Sequence, residues 1–199
     1  MPRDTAFALW IALGYLSGSI PYAVIVSRAR GVDIRAVGSK NPGAHNVMVH
    51  VGRWWGRLVA ILDLLKGTVP ALIAQQAGLD DWSVVAVGVA AMLGHVTSPF
   101  LGFKGGKGLS TAFGLMLVLA PVETVIGSIT GLTILSLTRF VPLSAAVAAI
   151  LTFALMIARG ASTPVLVAPW ITMAIALVAA LIDWVSHRRH PGRPTTKDV

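Results

Sequence analysis

The chain has 199 residues, 55% hydrophobic and only 12% charged, with a formal net charge of +8. A soluble domain carries about 25% charged residues, so lipid must solvate much of the folded surface. The absence of cysteine excludes disulfides, thiolate metal sites and a cysteine nucleophile, and the basic residues sit between apolar runs in a chain with few aromatics, which argues against nucleic acid as a partner.

The first uncharged run covers residues 6–27 and is interrupted by Gly18-Ser19-Ile20-Pro21. Crossing a bilayer takes about 20 apolar residues, so this run reads as a span. It is expected to be retained rather than cleaved, because Asp4 accompanies Arg3 and no small-x-small site leads into soluble sequence. Residues 28–57 form a polar stretch with Arg28, Arg30, Arg35, Lys40, Arg53 and Arg57 against a single acid, Asp33. The second run, 58–78, contains Asp63 and Lys66 and ends at the acidic turn Asp80-Asp81. The third, 82–100, has His95 near its end and closes on the basic loop Gly102-Phe103-Lys104-Gly105-Gly106-Lys107-Gly108.

Between 109 and 138 the only charge is Glu123, near Pro121. Roughly 30 residues exceed one upright helix and fall short of two standard ones, so two short or tilted spans turning at Pro121 are expected. Arg139 marks the next loop. Runs 141–158 and 164–185 follow, separated by Arg159-Gly160-Ala161-Ser162-Thr163.

The expected fold is all-α, a polytopic membrane helical bundle of about seven transmembrane helices, some short or broken. With the N-terminus outside and the C-terminus inside, the basic loops and Arg139 fall on the cytoplasmic face. Asp80, Asp81 and Glu123 fall outside, and Arg159 is the one exception. Residues 1–185 are expected to form a single membrane-embedded domain, and 186–199 a basic cytoplasmic tail. No internal repeat is visible.

The inside loops are unusual for connectors. One reads Gly38-Ser39-Lys40-Asn41-Pro42-Gly43-Ala44-His45-Asn46, and the other continues from Lys104 through Gly108 to Leu109-Ser110-Thr111. Glycines let backbone N–H groups crowd an anion, lysines add point charges, and a helix starting near Leu109 adds its dipole. One such loop alone is ordinary turn chemistry. Two on the same face point to a phosphate site. The spacing is not that of a nucleotide P-loop, since Gly108 stands where Ser or Thr is required.

Asp63 and Lys66 lie three residues apart on one helix face, as a structural ion pair or as part of a site. His95 reads either as an interfacial side chain or as a site residue beside the lysine loop. No nucleophile elbow or triad is visible, so transfer chemistry would rest on bringing two substrates together and stabilising charge. No histidine or carboxylate grouping predicts a metal site.

Several of these motifs, in this order, resemble those of the bacterial acyl-phosphate:glycerol-3-phosphate acyltransferases of the inner membrane (PlsY type). The resemblance covers about residues 14–158. It rests on Gly18-Ser19-Ile20-Pro21, on Gly38-Ser39-x-Asn41-x-Gly43-Ala44-x-Asn46-Val47, on Leu62-Asp63-Leu64-Leu65-Lys66-Gly67, and on Gly94-His95 followed by residues 103–108 and Thr111. It implies a seven-helix enzyme of the bacterial cytoplasmic membrane that moves a fatty acyl group from acyl phosphate to the 1-hydroxyl of sn-glycerol 3-phosphate. Lysophosphatidic acid and phosphate are then the products, with no cofactor, no metal and no conventional side-chain base.

By position, the resemblance makes Ser39, Asn41, Gly43 and Asn46 the first substrate loop and residues 104–108 the phosphate clamp, followed by Thr111. Ser39, Lys104, His95 and Asn46 become the catalytic candidates. Arg139 and Ser144 fall in a third polar motif, and Asp63 and Lys66 support the site. Lys40, His45 and Pro142 depart from the usual glycine, threonine and serine, and His190 stands where asparagine is usual. These departures bear on acceptor recognition. A membrane transporter of organic phosphates is the alternative reading from another class, and a divergent relative with another acceptor or little activity is a third.

Overall fold

A computed structural model of the chain describes residues 3–188. Residues 189–199, most of the predicted tail, lie outside it, including His190. Among the described residues the regular structure is helical: α1 (Arg3–Ser19), α2 (Tyr22–Arg28), α3 (Ala44–His50), α4 (Arg53–Gln76), α5 (Asp81–Val96), α6 (Leu109–Leu119), α7 (Pro121–Thr138), α8 (Val141–Ala158) and α9 (Thr163–Arg188).

Six segments are long and apolar enough to cross a membrane: Thr5–Arg28, Arg53–Gln76, Asp81–Leu101, Pro121–Thr138, Val141–Ala158 and Thr163–Val185. The remaining predicted span is α6, an 11-residue helix. At about 1.5 Å per residue it rises roughly half the thickness of a bilayer core. The expected break near Pro121 is present: Ala120 leaves helical geometry at φ −145°, and Pro121 opens α7 as its first residue.

Polar contacts between distant loops fix which ends lie together. Arg159 Nε lies 2.9 Å from Glu123 Oε1, and the Ser162 hydroxyl donates to Asp81. The 77–80 turn, the start of α7 and the α8–α9 turn therefore share one end. The apparent exception in the charge pattern has a local cause: Arg159 neutralises the nearly buried Glu123 carboxylate. On the same end, Asp80 caps α5, and donation from the Ser83 hydroxyl and backbone N–H holds its carboxyl below the usual range. At the opposite end Lys107 approaches Asp183, 3.5 Å apart, so the glycine loop meets the end of α9.

Many large apolar side chains point outward along the spans, including Leu132, Leu137, Ile150 and Leu177. Several helix contacts instead run over small residues, as expected where lipid removes any hydrophobic gain from helix association and close packing must supply it. Gly14 and Gly18 bring α1 onto Val87 and Ala91 of α5, and Gly67 and Gly114 bring α4 onto α6. A Cβ on Gly67 would lie 2.0 Å from the Thr111 carbonyl oxygen, which is backbone and cannot step aside. Gly67→Ala is therefore expected to destabilise the protein by about 1–3 kcal/mol, the scale of an overpacked core. The thermal midpoint of the detergent-solubilised variant would read this, and an unchanged midpoint would mean that α4 and α6 separate freely.

The α1–α2 break is tied to the end of α5. Tyr15 donates to the Thr97 carbonyl at 2.7 Å, and Ser98 donates to the Ser19 carbonyl at 2.6 Å. These bonds fix where His95 and the glycine loop begin.

Candidate functional site

At the Lys107 end a cavity of about 680 Å³ opens between the first loop, α3, α4, α5, the glycine loop and α9. Its wall includes Ser39, Asn41, Gly43 and Asn46 from the first loop and α3, Asp63 from α4, His95 from α5, and Lys107, Gly108 and Ser110. Ala180, Asp183 and Trp184 close it from α9. The two loops singled out in the sequence thus face one space.

The first loop is held from within by Asn46. Its buried side-chain amide donates toward the carbonyls of Ile34 (3.0 Å), Val37 (3.2 Å) and Asn41 (3.2 Å). Three acceptors converge on one NH2 group, so Asn46 shapes the loop while lining the cavity. Lys40 adopts φ +58° there, the left-handed region that favours glycine. This is the position where the resembled family usually has glycine, and here the lysine backbone takes the strained conformation.

Behind the cavity lies a buried polar group. Lys66 Nζ is 2.7 Å from Asp63 Oδ1 and 3.3 Å from His95 Nδ1. All three residues are buried, with Lys66 additionally 5.0 Å from the centre of the Tyr22 ring. Paired with Asp63, the ammonium can only donate, so His95 Nδ1 accepts and the imidazole proton belongs on Nε2. Nε2 faces Gly106, where a Cβ would come within 2.3 Å of it.

The glycine loop does different work from that expected of an anion cradle. Gly105 N–H donates to the Val96 carbonyl at 2.9 Å and Gly106 N–H to the His95 carbonyl at 3.2 Å. Both donors close the loop onto the end of α5. The glycines are needed for that approach, since a Cβ on Gly105 would lie 1.9 Å from the His95 carbonyl oxygen. Gly108, at φ +77°, lines the cavity and caps the start of α6.

Other expected site residues sit elsewhere. Lys104 is exposed on the loop and does not line the cavity, whereas Lys107 does. Thr111 is fully buried and donates to the Asp63 carbonyl at 2.9 Å, tying α6 to α4. Arg139 is exposed beyond α7 at φ +54°. Ser144 is buried in the first turn of α8, where its hydroxyl donates to the Phe140 carbonyl at 3.0 Å. Neither lines the cavity. Sequence reasoning missed Asp183 and Trp184. The available signal was one acid near the end of an otherwise uncharged 164–185 run.

An apolar groove of about 310 Å³ runs along α6, α7, α8 and α9, lined by residues such as Phe113, Met116, Phe153 and Met173. Leu109 lines both this groove and the polar cavity. A charged compartment therefore adjoins an apolar one at the first residue of α6.

The chain is similar to known proteins. A family profile described as glycerol-3-phosphate acyltransferase matches residues 8–197. A Thermus thermophilus protein named glycerol-3-phosphate acyltransferase is 40% identical over 186 residues, covering 92% of this chain and 89% of its own. A Geobacter sulfurreducens protein of the same name is 42% identical over 179 residues, covering 90% and 89%. The fold is similar to two crystal structures of PlsY, an integral membrane glycerol 3-phosphate acyltransferase. Its glycerol 3-phosphate form superposes with a TM-score of 0.75 at 35% identity, over 94% of this chain and 91% of that one. Its lysophosphatidic acid form gives 0.74 at 34% identity.

Proposed function

The chain belongs to the glycerol-3-phosphate acyltransferase family as a multi-pass membrane protein, and we propose that it transfers a fatty acyl group from acyl phosphate to the 1-hydroxyl of sn-glycerol 3-phosphate. The observation that carries this reading is the junction at Leu109, where a polar cavity holding Lys107 meets an apolar groove. One substrate must offer a phosphate to the first and an alkyl chain to the second.

In this reading the acceptor hydroxyl attacks the acyl carbonyl. The new ester C–O bond forms as the C–O bond to phosphate breaks, and the hydroxyl proton leaves with the phosphate. Lys107 and the α6 N-terminus offset the charge that grows on the departing phosphate. Ser39, Asn41 and Gly43 contact the acceptor, and His95, carrying its proton on Nε2, donates toward substrate oxygen. Asn46 keeps the first loop in shape, while Asp63 and Lys66 hold His95. Lys104 and Arg139 lie outside the cavity wall and act on substrate approach, and Gly105, Gly106, Thr111 and Ser144 act through packing. The domain is residues 1–185, the membrane is the bacterial cytoplasmic one, and the N-terminus faces outward.

The similar PlsY structures support the acceptor and product in this reading, since they are glycerol 3-phosphate and lysophosphatidic acid forms. The test is phosphate release by purified protein in lipid. Palmitoyl phosphate is expected to release inorganic phosphate only when glycerol 3-phosphate is added. Well-folded protein that releases none with any small phosphorylated alcohol would overturn the reading and return the transporter alternative, to be examined as phosphate-ester flux in liposomes.

A further inference from the structure

Lys107 already has an anion beside it. Its Nζ is 3.5 Å from Oδ2 of Asp183, and both residues line the cavity. Asp183 is the only acid in α9. Two phosphate-bearing substrates must enter this space, so a carboxylate in its wall is a like charge placed where they arrive. The pair is partly open to water, with 42% of the Lys107 side chain and 34% of Asp183 exposed, and exposed pairs contribute little to folding. The opening also means that an incoming anion can reach Lys107 without dismantling the fold.

We propose that Asp183 is a resident counter-ion. It occupies Lys107 in the empty site, yields it to substrate phosphate, and takes it back when inorganic phosphate leaves. This deepens the acyltransferase reading and rests on it for the identity of the competing ligands. Two properties follow. Product phosphate leaves more readily, because Lys107 is never left unpaired in a site of reduced polarity. The site also discriminates by charge: a dianionic phosphate displaces the carboxylate with a net gain, and a monoanionic carboxylate does so with almost none.

The test is a titration of inorganic phosphate onto the full-length protein in detergent, comparing wild type, Asp183→Asn, Lys107→Ala and the double variant. Asp183→Asn is expected to bind phosphate roughly two- to fivefold more tightly, the scale of a partly exposed ion pair. The same change in the Lys107→Ala background is expected to have no effect. In turnover, the KM for glycerol 3-phosphate falls by a similar factor, and added inorganic phosphate inhibits more strongly. Unchanged or weaker phosphate binding overturns the proposal, as does an equal gain without Lys107, or no binding by any variant. A raised KM with a lowered kcat also overturns it, because Asp183 would then be gripping the acceptor. Failure of wild-type protein to transfer acyl groups would overturn the functional reading instead, and the phosphate titrations would still decide the pair.

Discussion

Replacing Lys107 with alanine is expected to slow acyl transfer roughly 100- to 1,000-fold, the range seen when a single donor to developing negative charge is removed. The reason is scarcity. Among the described residues lining the cavity, Lys107 is the one lysine or arginine. Lys104 is exposed outside the wall, and Lys66 is committed to Asp63 and His95. Among the described residues, neither can take over. Folding should survive, because the Lys107 side chain is 42% exposed and a partly exposed ion pair contributes little to stability. The informative comparison is Lys107→Ala against Lys104→Ala in the phosphate-release assay, with thermal midpoints as the folding control. The cavity geometry makes the Lys104 effect much the smaller, and equal losses would show that both lysines reach the reacting phosphate. Lys107→Arg should recover only part of the rate, since a planar fork replaces a compact ammonium.

The second large effect is expected at Asp63. Asp63→Ala leaves the Lys66 ammonium buried inside a helical bundle without its counter-charge, 3.3 Å from the nitrogen of a neutral imidazole. Breaking a buried pair from one side costs about 3–5 kcal/mol, much of it the exposure of the surviving charge to a medium that cannot solvate it. Removing both charges together, as Asp63→Leu with Lys66→Met, should recover most of that stability. The double variant also separates the two readings the sequence left open. Restored folding with restored turnover makes the pair structural. Restored folding without turnover makes it part of the site through His95. A loss for Asp63→Ala no larger than that of a surface substitution would show that Lys66 is neutralised by something else.

The spans were legible because lipid imposes a simple rule: long apolar runs are helices, and charges mark their ends. Even Arg159, which broke the charge pattern, sits at the end its position required, held by Glu123. The site was legible only as a pair of loops. Lys104 and Lys107 are equivalent as letters, and only the path of the loop turns one into the cavity and the other to the outside. Gly105 and Gly106 suggested free N–H donors for an anion. Those donors instead bond the end of α5, because a sharp return to the helix that precedes it is what two glycines allow here. Thr111 looked like a phosphate ligand by adjacency, yet its position on α6 turns it toward α4. Asp183 went unread because one acid in a long apolar run resembles the edge of a span, and its role depends on a contact 76 positions away in sequence, with Lys107.

The wall of the cavity contributed by Ala180, Asp183 and Trp184 has a consequence for biogenesis. A chain leaves the ribosome N-terminus first, and its early segments can insert and pack before the later ones exist. The first loop, the buried Asp63 group and the glycine loop can all be in place while this wall is still unmade. On the acyltransferase reading, turnover is therefore expected only once α9 has docked. A product truncated before α9 is expected to enter the membrane without consuming substrate.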